Sequence, residues 1–261
     1  MNIQVGNHQY NVESVGEGKP LVMFHGFTGS TNTWKDVVRI LSKDFRCIMV
    51  DLPGHGKTEA PVQSMEEFCE DIYQVFLKLE LDQINLLGYS MGGRTALVFA
   101  SMFPDMVRKL ILEGASPGLE GQEKDERINR DRKLAEFIVD NGIEAFVDYW
   151  EIVPLFKTQE NLSDQSKNNI REERLSQDPN GLALSLRTMG TGEQPSMWNR
   201  LKELNVPALL ITGEKDNKFT SLNESMKKKL PEAEHHVISN VGHAVHLENP
   251  EIFGKIIMNN L

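Results

Sequence analysis

A serine is a weak nucleophile and a weak base at neutral pH unless a neighbour takes its proton. The residues to find first are therefore a serine in an exposed turn, a histidine, and a carboxylate that orients the histidine. All three types stand at informative places here. Ser90 lies in Gly88-Tyr89-Ser90-Met91-Gly92-Gly93-Arg94, between an apolar run, Ile84 to Leu87, that reads as a buried strand and a run from Thr95 to Ala100 that reads as a helix. In a G-x-S-x-G turn between strand and helix the chain reverses so tightly that the serine is held in strained backbone geometry, and the positions two away must lack side chains. Such a turn projects the Ser90 hydroxyl outward and sets the Met91 N–H at a helix N-terminus, facing any negative charge that develops. Asp216 follows the apolar run Val206 to Thr212 and Gly213, and His243 follows Glu234 to Ser239 and Gly242. Glu214 and Asp51 are the competing carboxylates. If the strands are parallel, all these loops open at one edge of a sheet, and Ser90, Asp216 and His243 can form a proton route serving either acyl transfer or proton abstraction.

The loop His25-Gly26-Phe27-Thr28-Gly29 follows another apolar strand, Pro20 to Phe24. Its Phe27 N–H is expected to join that of Met91 as a pair of donors able to hold a tetrahedral oxyanion or an enolate. His25 is expected to brace this loop beside the substrate. His55 sits in a second loop, Leu52 to Thr58, and reads as a structural histidine. His8, His235 and His236 fall in strands away from the site edge, and His246 reads as a support for His243. No His, Cys, Asp or Glu spacing suggests a metal, and no G-x-G-x-x-G opens the first helix, so neither a metal nor a dinucleotide cofactor is expected.

The elements that must position these residues follow an α/β pattern. Residues 2–5 and 8–14 alternate apolar and polar about Gly6-Asn7, as a hairpin does. Strands at 20–24, 45–51, 84–87 and 107–113 then alternate with helices at 31–42 and 64–79, which implies a mostly parallel central sheet flanked by helices. From 119 to 201 no strand is evident. Helices are expected at 122–141, 142–149, 163–177 and 181–189, and an all-helical insertion between parallel strands must lie over the sheet edge as a cap. The pattern resumes with a strand at 206–212, a helix near 222–230, a strand at 234–239 and a closing helix opened by Pro250. The expected organisation is a core over 1–118, a helical cap over 119–202 and the rest of the core over 203–261.

Composition narrows the partners. A net charge of −10 over 261 residues repels nucleic acid and anionic membranes, and no basic run offsets it. The two cysteines, Cys47 and Cys69, fall in an apolar strand and a helix and read as buried thiols. No basic, apolar leader opens the chain and no apolar run would span a membrane, so a cytoplasmic protein is expected.

Taken together, His25-Gly26, Gly54-His55-Gly56, Gly88-Tyr89-Ser90-Met91-Gly92-Gly93, Asp216 and Gly242-His243 resemble the α/β-hydrolase superfamily, whose fold carries a serine-centred site. Residues in and around the cap resemble a narrower family. Ser116-Pro117-Gly118-Leu119, Glu126-Arg127, Trp150 with Pro154-Leu155-Phe156, Arg174-Leu175-Ser176-Gln177 and Met189-Gly190-Thr191-Gly192-Glu193-Gln194-Pro195 are similar to the menaquinone-pathway synthases that make 2-succinyl-6-hydroxy-2,4-cyclohexadiene-1-carboxylate. That resemblance implies a lyase that expels pyruvate from an enolpyruvyl-cyclohexene precursor. Its substrate residues would be Tyr89, Arg94, Arg127, Trp150 and Arg174, with Arg130 and Arg132 crowding the helix of Arg127, and Arg171 that of Arg174. The physics agrees. The precursor carries several carboxylates, an acidic protein must neutralise them locally, and arginine forks bind carboxylates bidentately. Arg94 stands one helical turn beyond Ser90. A carboxylesterase, a carbon–carbon bond hydrolase and a non-catalytic ligand receptor are the alternatives on the same fold; an apolar ester pocket would have no use for these arginines.

Overall fold

A computed structural model describes all residues, 1–261. The chain opens with the hairpin β1 (Asn2–Val5) and β2 (His8–Val15) and continues through β3 (Lys19–Phe24), α1 (Lys35–Leu41), β4 (Phe45–Val50) and α2 (Met65–Lys78). Next come β5 (Ile84–Tyr89), α3 (Met91–Met102) and β6 (Val107–Glu113). The strand-free segment holds α4 (Gly121–Glu151), α5 (Asp164–Leu175) and α6 (Pro179–Met189). The chain ends with β7 (Ala208–Gly213), α7 (Asn217–Lys227), β8 (Ala233–Ile238), α8 (Val245–Glu248) and α9 (Pro250–Asn260). One eight-stranded sheet runs β1-β2-β4-β3-β5-β6-β7-β8. β1, β2 and β4 pair antiparallel, and every pair from β4 to β8 is parallel.

The central strands read as continuous apolar runs because they bury both faces. Val22, Phe24, Leu86, Leu110 and Leu112 face the core beneath α2 and α3, while Leu21, Met23, Leu87 and Ile111 face the core beneath α1 and α9. At full burial each such side chain contributes about 1.5–3 kcal/mol. A third, smaller core lies wholly between α4 and α6, where Ala135, Ile138, Phe146, Val147, Leu182 and Leu186 pack on one another. The helical insertion is thus held together by its own apolar contacts. Gly142, at φ 80°, breaks α4 where the sequence ends one helix and begins the next.

Three boundaries differ from the sequence expectation for identifiable reasons. α3 begins at Met91 rather than Thr95, because the two poor helix formers Gly92 and Gly93 fill its first turn and hide it from a propensity reading. α7 begins at Asn217 rather than near Leu222, because Asp216 caps it, its Oδ1 accepting the Phe219 N–H at 3.2 Å. Thr31–Trp34 is a 3-10 turn capped by Ser30 that leads into α1, and Pro154–Asn161 is another, unanticipated 3-10 stretch.

The parallel strands end together at one edge, and the close approach there is backbone on backbone. A Cβ on Gly92 would overlap the Phe24 carbonyl oxygen. Gly92→Ala is therefore expected to cost about 1–3 kcal/mol through forced separation of α3 from β3, measured as a lower urea midpoint at an unchanged slope.

Candidate active site

The loops at that edge bring the three residues of the proton route together. β5 ends at Tyr89 and α3 starts at Met91, leaving Ser90 alone at the turn with φ 50° and ψ −107°. That left-handed backbone is strained for a residue with a side chain and persists only because its surroundings fix it. Ser90 Oγ lies 3.0 Å from His243 Nε2, and His243 Nδ1 lies 2.6 Å from Asp216 Oδ2. A carboxylate only accepts, so Nδ1 carries the proton toward Asp216 and Nε2 is free to accept the Ser90 O–H. Asp216 itself is fixed by its capping bond to α7. Glu214 instead accepts the Asn240 N–H, and Asp51 accepts the Thr31 N–H and the Asn11 side chain, so neither competes for His243.

The Phe27 N–H makes no hydrogen bond within the protein, and the Met91 N–H belongs to a first helical turn, whose donors lack intrahelical acceptors. Phe27, Met91 and Ser90 all line one cavity of about 1290 Å³ beneath the helical segment. Tyr89, Arg94, Arg127 and Trp150 line it too.

Arg94 is buried, yet no carboxylate lies within ion-pair distance of it. Its Nη1 donates to the Met189 carbonyl at 3.0 Å and toward Gln194 Oε1 at 3.5 Å. Burial first, and then the neighbouring Arg127 guanidinium, pull Arg94 down to about 9, with Asp131 opposing. Arg127 is half-exposed and paired with Asp131, Nε to Oδ1, at 2.7 Å. Of its helical neighbours, Arg130 also lines the cavity, whereas Arg132 is exposed and reaches Glu193 at 3.7 Å. The Trp150 indole N–H is buried without a partner.

Two sequence expectations need correction. His25 does not line the large cavity. It is fully buried under the loop, Nδ1 donating to the Gly26 carbonyl at 2.7 Å and Nε2 accepting the Leu52 N–H at 3.0 Å. Both ring nitrogens are spent on backbone, and burial lowers its pKa, so it is a neutral brace only. His55 does the same one loop away, accepting the Thr28 N–H at 3.2 Å, with burial pushing its pKa down to about 3. Arg174 is also absent from the large cavity. Its guanidinium lies 5.2 Å over the Phe156 ring and lines a small adjoining cavity, with Gln159 Oε1 at 3.1 Å and Glu151 at 3.6 Å. Phe27, Tyr89 and Phe156 line both cavities. Arg171, its rival on α5, is spent on Asp148 and Glu151.

Sequence reasoning missed Lys215 and Lys218, which flank Asp216 and line the large cavity. Their place beside a strand-end carboxylate was the available signal. Gln194, singled out in sequence only as part of a motif, is fully buried, and its Nε2 donates to the Ser116 carbonyl at 3.2 Å.

Sheet order, strand-end loops and serine turn define a class. The chain belongs to the α/β-hydrolase family: a model of the alpha/beta hydrolase fold matches residues 19–250. Within it the chain groups with the 2-succinyl-6-hydroxy-2,4-cyclohexadiene-1-carboxylate synthases. It is 45% identical, over 94% of its length and 91% of the other, to the putative synthase of that name from Bacillus subtilis. It is 30% identical to the synthase of Enterobacter sp., with 89% of each chain covered. It superposes on the structure of MenH from S. aureus with a TM-score of 0.91 and 34% identity, over 96% of both chains.

α5 also grips the loop that carries Phe27. Glu173 Oε1 accepts the Ser30 and Thr33 hydroxyls at 2.6 and 2.9 Å. Burial raises the Glu173 carboxyl above its ordinary range, against those two hydroxyls, which lower it. A carboxyl raised on folding binds more protons in the folded state, so its ionisation disfavours folding at neutral pH, and that cost is relieved as pH falls through the raised value. Glu173→Gln, which keeps an acceptor oxygen, is expected to raise the urea midpoint at neutral pH, by a margin that shrinks on acidification; a midpoint difference independent of pH would contradict this.

Proposed function

We propose that the protein eliminates pyruvate from 2-succinyl-5-enolpyruvyl-6-hydroxy-3-cyclohexene-1-carboxylate to give 2-succinyl-6-hydroxy-2,4-cyclohexadiene-1-carboxylate, a lyase step of menaquinone biosynthesis. The observation that carries this reading is Arg94. A buried guanidinium without a carboxylate partner, beside a second guanidinium and in the cavity of Ser90, is a site for an anion. Hydrolysis of a neutral ester would leave that charge without a purpose.

In this reading Asp216 holds the His243 ring and His243 takes the Ser90 proton. The Ser90 oxygen then removes the ring proton α to the succinyl carbonyl. Charge that moves onto the carbonyl oxygen is held by the Phe27 and Met91 N–H groups. It returns through the ring, the bond to the enolpyruvyl oxygen breaks, and pyruvate leaves as its enolate, which takes up a proton. Serine acts as a base and forms no acyl-enzyme. Arg94 and Arg127 hold substrate carboxylates, and Tyr89 and Trp150 shape the pocket wall. Arg174 faces the adjoining cavity, which shares Phe27, Tyr89 and Phe156 with the large one.

The partner is a small polycarboxylate. No helix is long and apolar enough to cross a membrane. With a net charge of −10, this supports work in the cytoplasm without a nucleic-acid or membrane partner.

The test is pyruvate release from the enolpyruvyl precursor, coupled to a dehydrogenase. Rapid turnover of a p-nitrophenyl ester without pyruvate release would replace the lyase reading with a hydrolase one. Ser90→Ala should lower kcat by roughly 10²–10⁴-fold, the scale of a lost general base, with substrate binding largely retained. Arg94→Ala should raise KM about tenfold or more, as expected for one charge-assisted hydrogen-bond pair. Unchanged kinetic constants in Arg94→Ala would remove it from the binding site.

A further inference from the structure

Glu113 ends β6, and no part of it reaches solvent. A carboxylate in such a place is costly unless its oxygens are hydrogen-bonded and its charge is met. Every hydrogen bond it makes goes to one residue. Oε1 accepts the His246 backbone N–H at 3.0 Å, and Oε1 and Oε2 lie 2.9 and 2.8 Å from the His246 Nδ1. The backbone of Glu113 is equally committed. It stands opposite Tyr89 in the parallel register, and its carbonyl accepts the Ser90 N–H at 2.8 Å. One residue thus grips the Ser90 turn with its main chain and, with its side chain, the short helix α8 that follows His243. Tyr89 fills the angle between the two histidines, its ring centre 5.3 Å from that of His243 and 4.5 Å from that of His246.

The proton route uses none of this. An apolar side chain would fill the same space at lower cost, so the carboxylate is explained by what it holds. We propose that Glu113 is a positioning residue that acts through His246 to set the distance between His243 Nε2 and Ser90 Oγ. The inference rests on the Ser90–His243–Asp216 route proposed above but not on the identity of the substrate.

The test compares Glu113→Ala and Glu113→Gln with the wild type, using whichever turnover the wild type shows, pyruvate release or ester hydrolysis. Absence of pyruvate in the wild type therefore bears on the lyase reading alone. Folded Glu113→Ala should lose about tenfold or more in kcat, as for a sub-ångström misplacement of reacting groups, with KM nearly unchanged. The downfield proton resonance of the His243 Nδ1–H, held against Asp216, should shift or broaden. Glu113→Gln keeps an acceptor for the His246 N–H and should restore most of the kcat. If Glu113→Ala does not fold, His246→Phe keeps the ring volume, removes the Nδ1 contact and should reproduce the kcat loss. A folded variant with wild-type kcat and an unmoved resonance, showing only a lower melting temperature, would overturn the proposal.

Discussion

The site depends on how closely three backbones meet at the end of β5. A Cβ on Gly88 would overlap the Gly92 carbonyl, one on Gly92 the Phe24 carbonyl, and one on Gly93 would come within 2.7 Å of the Ala115 Cβ. Without side chains at these positions α3 settles directly behind the strand ends, and the single residue left between strand and helix must take a left-handed backbone. That residue is Ser90, and its neighbours keep it there. β6 lies on one side and accepts its N–H, and β3 lies on the other and continues into the loop that carries Phe27. The strain is local, while the restraint on it comes from the sheet order. Moving either neighbouring strand would release the turn.

Charge is the second constraint. The protein is acidic as a whole, yet the cavity behind Ser90 has guanidinium groups on one wall and Phe27 and Trp150 on another. In a confined, weakly polar space a cation attracts an anion far more strongly than it would at a wet surface. The Arg94 guanidinium is held in place by the Met189 carbonyl and the Gln194 amide, both from the segment above the sheet. The helical insertion therefore orients a charge that the core helix provides, and the two parts of the chain line one cavity between them.

Much of this was legible in the sequence because burial on both faces leaves an unmistakable trace. Strands such as Leu21–Phe24 and Leu86–Leu87 are unbroken apolar runs, and a glycine next to a polar residue at their ends marks the site edge. Ser90, Asp216 and His243 could be picked out on that basis. What could not be read were directions of side chains within the tertiary packing. His25 and Arg174 belong to the right loop and the right helix. One points into backbone and the other lies over the Phe156 ring in an adjoining cavity, and no local pattern encodes either choice. Glu113 escaped notice for a related reason. As the last residue of a strand it looks like an ordinary polar terminus, and only the arrival of α8 across the sheet reveals that it is sealed in. The early start of α7 was hidden because Asp216 serves two partners at once, capping a helix with one oxygen and holding His243 with the other.

The contact between Ser90 and His243 spans 153 positions of the chain, whereas Asp216 and His243 are 27 apart. Closing the longer separation carries a larger entropic cost and waits on the sheet that bridges it. A chain folded only as far as β6 would already hold Ser90 in its turn, with its N–H bound and its hydroxyl exposed, but nothing would be there to take the proton. On this order of contacts Ser90 would gain its proton acceptor only when the final strands dock.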